Sequence, residues 1–140
     1  MTAATTPPSA PPWERIAHDL SDALIYADRS GTIRAWNAAA QALFGFSAEE
    51  ALGQSLDLII PPHLREAHWR GFHRAIERGA AGSRAARTTR GAHQDGRKLY
   101  VEMSFCVVTD GQGQVLGSAA VARDVTQRQM AARQAAAGEG

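Results

Sequence analysis

An alternating segment in the second half of the chain, residues 99–109, does more than any other to limit the folds open to this sequence. Its apolar side chains recur at every second position and are Leu99, Val101, Met103, Phe105 and Val107. A period of two places them all on one face of a β-strand, and it places Tyr100 and Cys106 on the opposite face. Turn sequences rich in Asp and Gly flank the segment, at residues 94–97 and 110–113. The segment therefore predicts an antiparallel strand whose apolar face packs against a second layer of structure.

The other periodic segments predict the remaining strands and the helices. The predicted strands are residues 23–28, 32–36, 84–93, 99–109 and 115–125. The predicted helices are residues 13–21, residues 38–44, a short segment between Ser47 and Gly53, residues 61–79, and a final helix that begins at Thr126 with the pattern of a capping box. This order is typical of an α+β domain. We predict a five-stranded antiparallel sheet with short helices and one long helix packed on one face.

Composition limits the classes of function. With 15 Lys and Arg against 14 Asp and Glu, the net charge of +1 favours neither a nucleic acid nor a membrane as partner. The single cysteine, Cys106, excludes an internal disulfide and fits a reducing compartment. The Pro- and Ala-rich start lacks the pattern of a signal peptide. We therefore expect a cytoplasmic protein, divided into a disordered tail (1–12), a cap helix (13–22), a folded domain (23–125), and an exit helix with its tail (126–140).

The long predicted helix, residues 61–79, contains the strongest candidate for a ligand site. At about 100° per residue, Leu64, Phe72 and Ile76 share one stripe, and His68 lies at its centre. A histidine on the buried face of a helix needs a partner, because an unpaired polar group in the interior is costly. The sequence leaves two partners open, a backbone carbonyl or a metal.

Several short motifs are shared with one known family. They are Asp28-Arg29-Ser30-Gly31-Thr32-Ile33, Trp36-Asn37-Ala38-Ala39-Ala40, Leu43-Phe44-Gly45-Phe46-Ser47-Ala48-Glu49-Glu50, Asp95-Gly96 and Arg123-Asp124-Val125-Thr126. Together with the order of strands and helices, they resemble the PAS domain over residues 14–130. The resemblance implies the PAS fold and a module that senses a signal and transmits it through its terminal helices.

One stretch resembles a subgroup of that family. Residues 58–61 and 64–68 are similar to the corresponding stretch of heme-binding oxygen sensors, the FixL-type kinases and the direct-oxygen-sensor phosphodiesterases. In these proteins the histidine at the place of His68 is the proximal ligand of the heme iron, a role that suits a neutral imidazole. The resemblance implies heme b as the cofactor, lying between the His68 helix and the sheet. Leu64 and Phe72 would then lie on the same side of the heme as His68.

The same resemblance assigns residues to the opposite, distal side of the heme. Arg87 stands eight residues before Asp95, where FixL-type proteins carry an arginine that donates a hydrogen bond to the bound gas. Met103 and Phe105 match the wall of the distal pocket, and Met103 is also a candidate sixth ligand of the iron. The small residues Gly117-Ser118-Ala119-Ala120 leave room for a planar ligand. The implied function is a sensor of O₂, CO, NO or redox state, with a second copy of the chain as the expected partner.

Other interpretations stay open. His68 can pack in the core against a backbone carbonyl, and Arg87 can pair with Glu102 or Asp28. The second functional interpretation is a cofactor-free PAS domain that dimerises or docks a partner through its terminal helices. A third is non-covalent binding of flavin or another small ligand, since Trp36 and Asn37 stand where flavin-binding PAS proteins contact their cofactor.

Catalysis is not indicated by any motif in the chain. The sequence contains no Gly-rich phosphate loop, no Ser/His/Asp arrangement and no pair of carboxylates in a plausible cleft. We therefore expect no enzymatic activity from this chain.

Overall fold

The computed structural model describes residues 10–79 and 85–138 of the 140-residue chain. The strands are β1 (Ala23–Asp28), β2 (Ile33–Trp36), β3 (Arg87–Ala92), β4 (Lys98–Thr109) and β5 (Val115–Asp124). The α-helices are α1 (Trp13–Asp19), α2 (Ala38–Phe44), α3 (Ala48–Ala51), α4 (Arg65–Arg78) and α5 (Thr126–Gly138), and two 3-10 turns, Leu56–Ile59 and Pro62–Leu64, precede α4. Residues 1–9 of the predicted disordered tail, and Arg84 at the start of the third predicted strand, lie outside the described residues.

The strands form one antiparallel sheet in the order β2-β1-β5-β4-β3. The last strand in sequence, β5, therefore lies in the middle of the sheet, between β1 and β4. This arrangement confirms the predicted α+β class and the five-stranded antiparallel sheet. Within residues 10–79 and 85–138, no helix combines the length and the apolar character that crossing a membrane requires.

The register of the strands decides which side chains share a face. Met103 pairs with Ala122 and Phe105 with Ala120 across β4 and β5, and Ala120 pairs in turn with Ile25 on β1. Residues directly opposite each other in an antiparallel sheet point to the same side. These side chains therefore lie on one face, which we call the inner face.

The hydrophobic core lies between the inner face and the helices. The sheet contributes Ile25, Ile33, Leu99 and Val101, and the helices and the first 3-10 turn contribute Phe44, Ile59, Phe72 and Ile76. Each of these large apolar side chains contributes about 1.5–3 kcal/mol by leaving water. The apolar positions of the alternating segment thus face the helical layer, as predicted.

Two residues of β4 differ in burial from what the alternation predicts. Phe105 lies on the inner face and yet is 45% exposed, because the described residues leave its side chain uncovered. Tyr100 lies on the opposite face and yet is only 4% exposed. The guanidinium groups of Arg90 and Arg133 lie over its ring, at 5.4 and 5.1 Å from the centroid, and α5 packs against β4 at this point.

The loops between β1 and α4 follow local sequence signals. Asn37 caps α2 by accepting a hydrogen bond from the backbone N–H of Ala40, and Gly45 ends that helix in the left-handed conformation at φ +82°. Ser47 and Glu50 form the predicted reciprocal capping box of α3. These caps confirm the predicted helices at both places.

Two predicted helical features are wrong in detail. The helix predicted over residues 61–79 is interrupted, because Pro62–Leu64 is a 3-10 turn and α4 begins at Arg65. The Arg65 guanidinium donates to the carbonyl oxygens of Asp57 and Ile60, which holds the chain in this bent path. The capping box predicted at Thr126 does not form, since the Thr126 hydroxyl accepts a hydrogen bond from the backbone N–H of Tyr100 at 3.0 Å.

Candidate functional site

His68 lies in the first turn of α4, on the side that leads into the core. Phe72 and Ile76, further along the helix, are buried, and His68 itself is half-buried. The Nδ1 atom of His68 is buried and has no hydrogen-bond partner in the part of the chain that the structure describes. An unpaired buried polar atom costs about 1–3 kcal/mol. Within the described residues, the carbonyl partner that the sequence left open is thus not found for this nitrogen.

Aromatic neighbours hold the imidazole ring of His68. The Trp69 ring meets it edge to face, with the centroids 4.9 Å apart and the planes at 72°. Phe72 lies with its centroid 6.1 Å away, and the His73 ring lies 5.9 Å from the Trp69 ring with the planes tilted by 30°. Contacts of this kind restrict the orientation of an aromatic ring without using its polar atoms.

Trp69 is fixed at both ends of its side chain. Its Nε1 donates to Oδ1 of Asp57 at 2.8 Å, which ties α4 to the first 3-10 turn. The far edge of the indole lies against Gly31 in the turn between β1 and β2, where a Cβ atom would come within 2.2 Å of the ring. Sequence reasoning missed Asp57 and Trp69 as parts of the site, because no periodicity links two residues twelve positions apart across a bend.

The environment of His68 favours its neutral form. Burial lowers the pKa of His68, the negative charge of Asp57 opposes the shift, and the neighbouring His73 adds to it. A neutral imidazole keeps one nitrogen free of a proton. This is the form in which histidine binds a metal.

The predicted distal residues lie on the sheet, on the other side of the core. Arg87 pairs with Met103 in the register of β3 and β4, so it is directed to the inner face together with Met103 and Phe105. The structure thus separates the predicted site residues into two groups. Leu64, His68 and Phe72 lie on or directly before α4, and Arg87, Met103 and Phe105 lie on the sheet.

Arg87 is exposed and forms no ion pair within the described residues. The two acidic partners open to it from the sequence have other partners. Glu102 accepts from Arg128 at 3.0 Å, and Asp28 accepts from Arg34 at 2.9 Å. The structural alternative for Arg87, a salt bridge within the sheet, is therefore not formed.

The inner face carries little side-chain bulk beside these residues. The β5 residues opposite Met103, Phe105 and Val107 are Ala122, Ala120 and Ser118. Small residues here leave Phe105 without apolar contacts on its exposed side. A flat apolar ligand lying against the sheet would supply such contacts.

The metal-binding donors at this site are few. Among residues 10–79 and 85–138, no three His, Cys, Asp or Glu side chains come together as a metal ion held by protein ligands alone requires. His68 offers one imidazole nitrogen from the helix side, and Met103 offers a thioether from the sheet. Porphyrin iron takes most of its ligands from the macrocycle and needs only one or two axial donors from the protein. The donors present therefore suit a heme iron.

Comparison with models of known protein families shows to which family the chain belongs. A family model described as the PAS fold matches residues 13–125, from the start of α1 to the end of the sheet. The chain belongs to the PAS family. This PAS domain is accordingly a sensory and signal-transducing domain, as the motifs in its sequence imply.

A curated relative matches part of the PAS domain. The sensor protein FixL of Bradyrhizobium diazoefficiens is 40% identical over 53 residues, which is 38% of this chain and 10% of FixL. The match supports the resemblance to FixL-type sensors. The chain spans only 8% and 10% of the lengths of the two curated proteins that it matches.

Solved structures agree with the fold. A PAS domain from Colwellia psychrerythraea superposes with a TM-score of 0.70 at 25% identity, covering 82% of this chain and 95% of that one. An RNA-binding light-oxygen-voltage receptor superposes with a TM-score of 0.69 at 26% identity, covering 100% of this chain and 42% of that one. Both similarities support the strand order and helical layer described above.

Proposed function

We propose that this PAS domain binds heme through His68 and senses O₂, CO, NO or the redox state of the iron. The observation that carries the proposal is the buried Nδ1 of His68, which has no partner among the described residues. His68 stands where the resemblance to FixL-type sensors places the proximal ligand, and the partial match to FixL supports that resemblance. The chain acts as a sensor and leaves catalysis to a partner or to another part of a longer protein.

Each site residue has a distinct task in this proposal. Heme b, when bound, supplies an iron centre that takes up a diatomic gas. His68 holds the iron from the α4 side, where Leu64 and Phe72 cover the apolar macrocycle. Met103 and Phe105 form the wall on the sheet side. Covering the exposed ring of Phe105 removes apolar surface from water, which contributes about 25 cal/mol per Å².

Arg87 is the hydrogen-bond donor toward the gas. Its strand position directs it to the inner face opposite Met103, and it has no ion pair in the described part of the chain to hold it elsewhere. A hydrogen bond from a cationic donor is roughly twice as strong as one between neutral groups. Arg87 would therefore favour a gas that takes on negative charge when bound, as O₂ does.

Strand β4 connects the site to the C-terminal helix. It carries Met103 and Phe105 on the inner face, and its opposite face is bound to α5. The Thr126 hydroxyl contacts the backbone of Tyr100, and Arg128 pairs with Glu102 at 3.0 Å. A change at Met103 or Phe105 therefore moves the same strand on which α5 rests, which gives the signal a route out of the domain.

The test is hemin binding by single-histidine variants. Purified wild-type protein is titrated with hemin, and His68→Ala is compared with His63→Ala and His73→Ala, which change the same residue type on the same helical segment. We expect a sharp Soret band at one hemin per chain for the wild type and both controls, with a shift on adding CO to the ferrous form. His68→Ala should lose this band, because it removes the axial ligand.

Two results would contradict the proposal. One is a wild-type protein that takes up no stoichiometric hemin. The other is His68→Ala that retains hemin with an unchanged spectrum. Circular dichroism of the apo variants separates a lost ligand from a lost fold.

A second candidate function is self-association, in which the PAS domain holds no cofactor and binds a second copy of the chain. Helix α1 favours it, because none of its residues is buried and Trp13 and Ile16 are 68% and 41% exposed. Such a helix presents an apolar stripe suited to a second copy of the chain. Dimerisation is also compatible with heme binding, since the two surfaces are different.

The third interpretation, flavin binding, receives less support from the site. The Asn37 amide is fully used by the protein, since its Oδ1 accepts from the N–H groups of Leu24 and Ala40. Its Nδ2 donates to the carbonyl oxygens of Ala17 and Asp22. An amide with all of these partners has no group left for a cofactor.

A further inference from the structure

Trp69 occupies an unusual place beside the proposed iron ligand. A histidine that binds a metal nearly always donates its second ring N–H to a carboxylate, a carbonyl or a water, which fixes its orientation. The nearby carboxylate here is Asp57, whose charge acts on His68. The Oδ1 atom of Asp57, however, accepts its hydrogen bond from Nε1 of Trp69. The aromatic ring of Trp69 then meets the imidazole edge to face at 4.9 Å.

The helical turn that carries His68 is fastened to residue 57 on both sides. Before His68, the Arg65 guanidinium donates to the backbone carbonyl of Asp57 at 3.2 Å. After it, Trp69 donates to the Asp57 side chain at 2.8 Å. The Trp69 ring also packs against Gly31, where the absence of a side chain lets the indole reach the β1–β2 turn. His68 therefore sits on the part of α4 whose position is most directly set by Asp57.

We infer that Trp69, held by Asp57, is the positioning residue for His68, in place of a direct hydrogen bond to the imidazole. This inference rests on the proposed heme site and extends it to the regulation of that site. Because Trp69 contacts both the His68 ring and the β1–β2 turn at Gly31, a shift of His68 would reach that turn through Trp69. Trp69 would thus hold His68 in place for an iron ligand and would couple it to the sheet.

The test compares two Trp→Phe variants, each of which removes the indole N–H of a different tryptophan. Trp69→Phe breaks the bond to Asp57, and Trp36→Phe breaks an equivalent bond of 2.9 Å from Trp36 Nε1 to the carbonyl oxygen of Phe46. The readouts are the rate of hemin dissociation and the iron–histidine stretching band of the ferrous form in resonance Raman spectra. A residue that only supports the fold would not move that band.

We expect Trp69→Phe to release hemin roughly tenfold faster, in line with the effect of residues that orient metal ligands, and to shift the iron–histidine band. Trp36→Phe should leave the band unchanged. Asp57→Ala should act like Trp69→Phe, whereas Asp57→Asn keeps an oxygen acceptor for the indole and should restore the wild-type spectrum.

The outcomes separate the two proposals. If the wild type holds stoichiometric hemin and Trp69→Phe has the same band and release rate as Trp36→Phe, the positioning role is wrong and the heme site stands. If the wild type binds no hemin, both fail. Thermal melting of each apo variant shows whether the fold is kept.

Discussion

Two side chains in the described structure contain a buried nitrogen without a hydrogen-bond partner, and they are His68 and Arg90. The Arg90 guanidinium is compensated in part, because it lies 5.4 Å from the centre of the Tyr100 ring, where the π face attracts a cation. His68 contacts the rings of Trp69 and Phe72, and neither ring supplies a hydrogen bond to its Nδ1. This difference is why we place the proposed ligand site at His68 and not at Arg90.

The charge of Asp28 is tied to the fold by several hydrogen bonds. The hydrogen bond from the Ser30 hydroxyl, with those from Arg34 and from the backbone of Thr32 and Ser30, outweighs partial burial and lowers the pKa of Asp28 from 3.8 to about 2. A carboxyl with a lowered pKa stabilises the folded state above its unfolded pKa. That stability is lost as the pH falls from about 4 toward 2.

Asp28→Asn should therefore lower the free energy of unfolding by about 1–2 kcal/mol at pH 7, since hydrogen bonds to a charged group are lost. The difference from the wild type should be constant from pH 7 to about 4 and shrink below it. Urea denaturation at pH 7, 4 and 2.5 measures this. A difference that grows on acidification would show that the charge of Asp28 is not what stabilises the turn.

Contacts of single residues were predictable where they are local. Asn37 and Ser47 were recognisable as helix caps, because a cap needs only its own next few residues. The four hydrogen bonds of the Asn37 amide, which reach Ala17, Asp22, Leu24 and Ala40, were not predictable beyond the one to Ala40. They depend on where α1 and β1 lie in the folded chain.

The contact between helix α4 and the β1–β2 turn depends on the absence of a side chain at Gly31. Gly31 has φ +81°, and a Cβ atom there would lie 2.2 Å from the Trp69 ring. Gly53 has a similar φ of +86°, but a Cβ atom added there would have no other atom within 4 Å. The two glycines therefore separate the cost of the backbone conformation from the cost of the steric clash.

Gly31→Ala should lower the free energy of unfolding by about 2–4 kcal/mol, because it adds overpacking to the left-handed penalty. Gly53→Ala should lower the free energy of unfolding by only about 1 kcal/mol, because it brings the penalty of the left-handed backbone without a steric clash. Chemical denaturation of both variants gives the comparison. Equal losses would mean that the indole swings away freely, which its bond to Asp57 argues against.

The elements of the sheet were more predictable than the packing of the last helix. Period-two alternation in residues 99–109 identified the inner face, because the pattern is a property of the strand itself. The burial of Tyr100 under Arg90 and Arg133 required knowing that α5 turns back onto β4. The Thr126 hydroxyl is similarly taken by Tyr100, a partner 26 residues away, instead of by its own helix.

In the domain as a whole, helix α1 presents exposed apolar side chains to its surroundings, and we expect it to govern self-association. Trp13→Ser combined with Ile16→Ser removes exposed apolar side chains of α1 but keeps the bond from Asn37 to the Ala17 carbonyl. We expect the dimer dissociation constant to rise at least tenfold, measured by sedimentation equilibrium. The polar changes Glu14→Ser and Arg15→Ser on the same helix are the control. An unchanged dissociation constant, or a wild type that is monomeric throughout, would exclude α1 as the interface.

A heme between α4 and the sheet is the feature on which the proposed function depends, and the crystal structure of the hemin-loaded protein tests it most directly. We expect a porphyrin against the inner face beside Phe105, with His68 bound to the iron and its ring still edge to face with Trp69. Iron bound by His63, His73 or no histidine, or a porphyrin lying on the outer surface, would contradict the heme-sensor function.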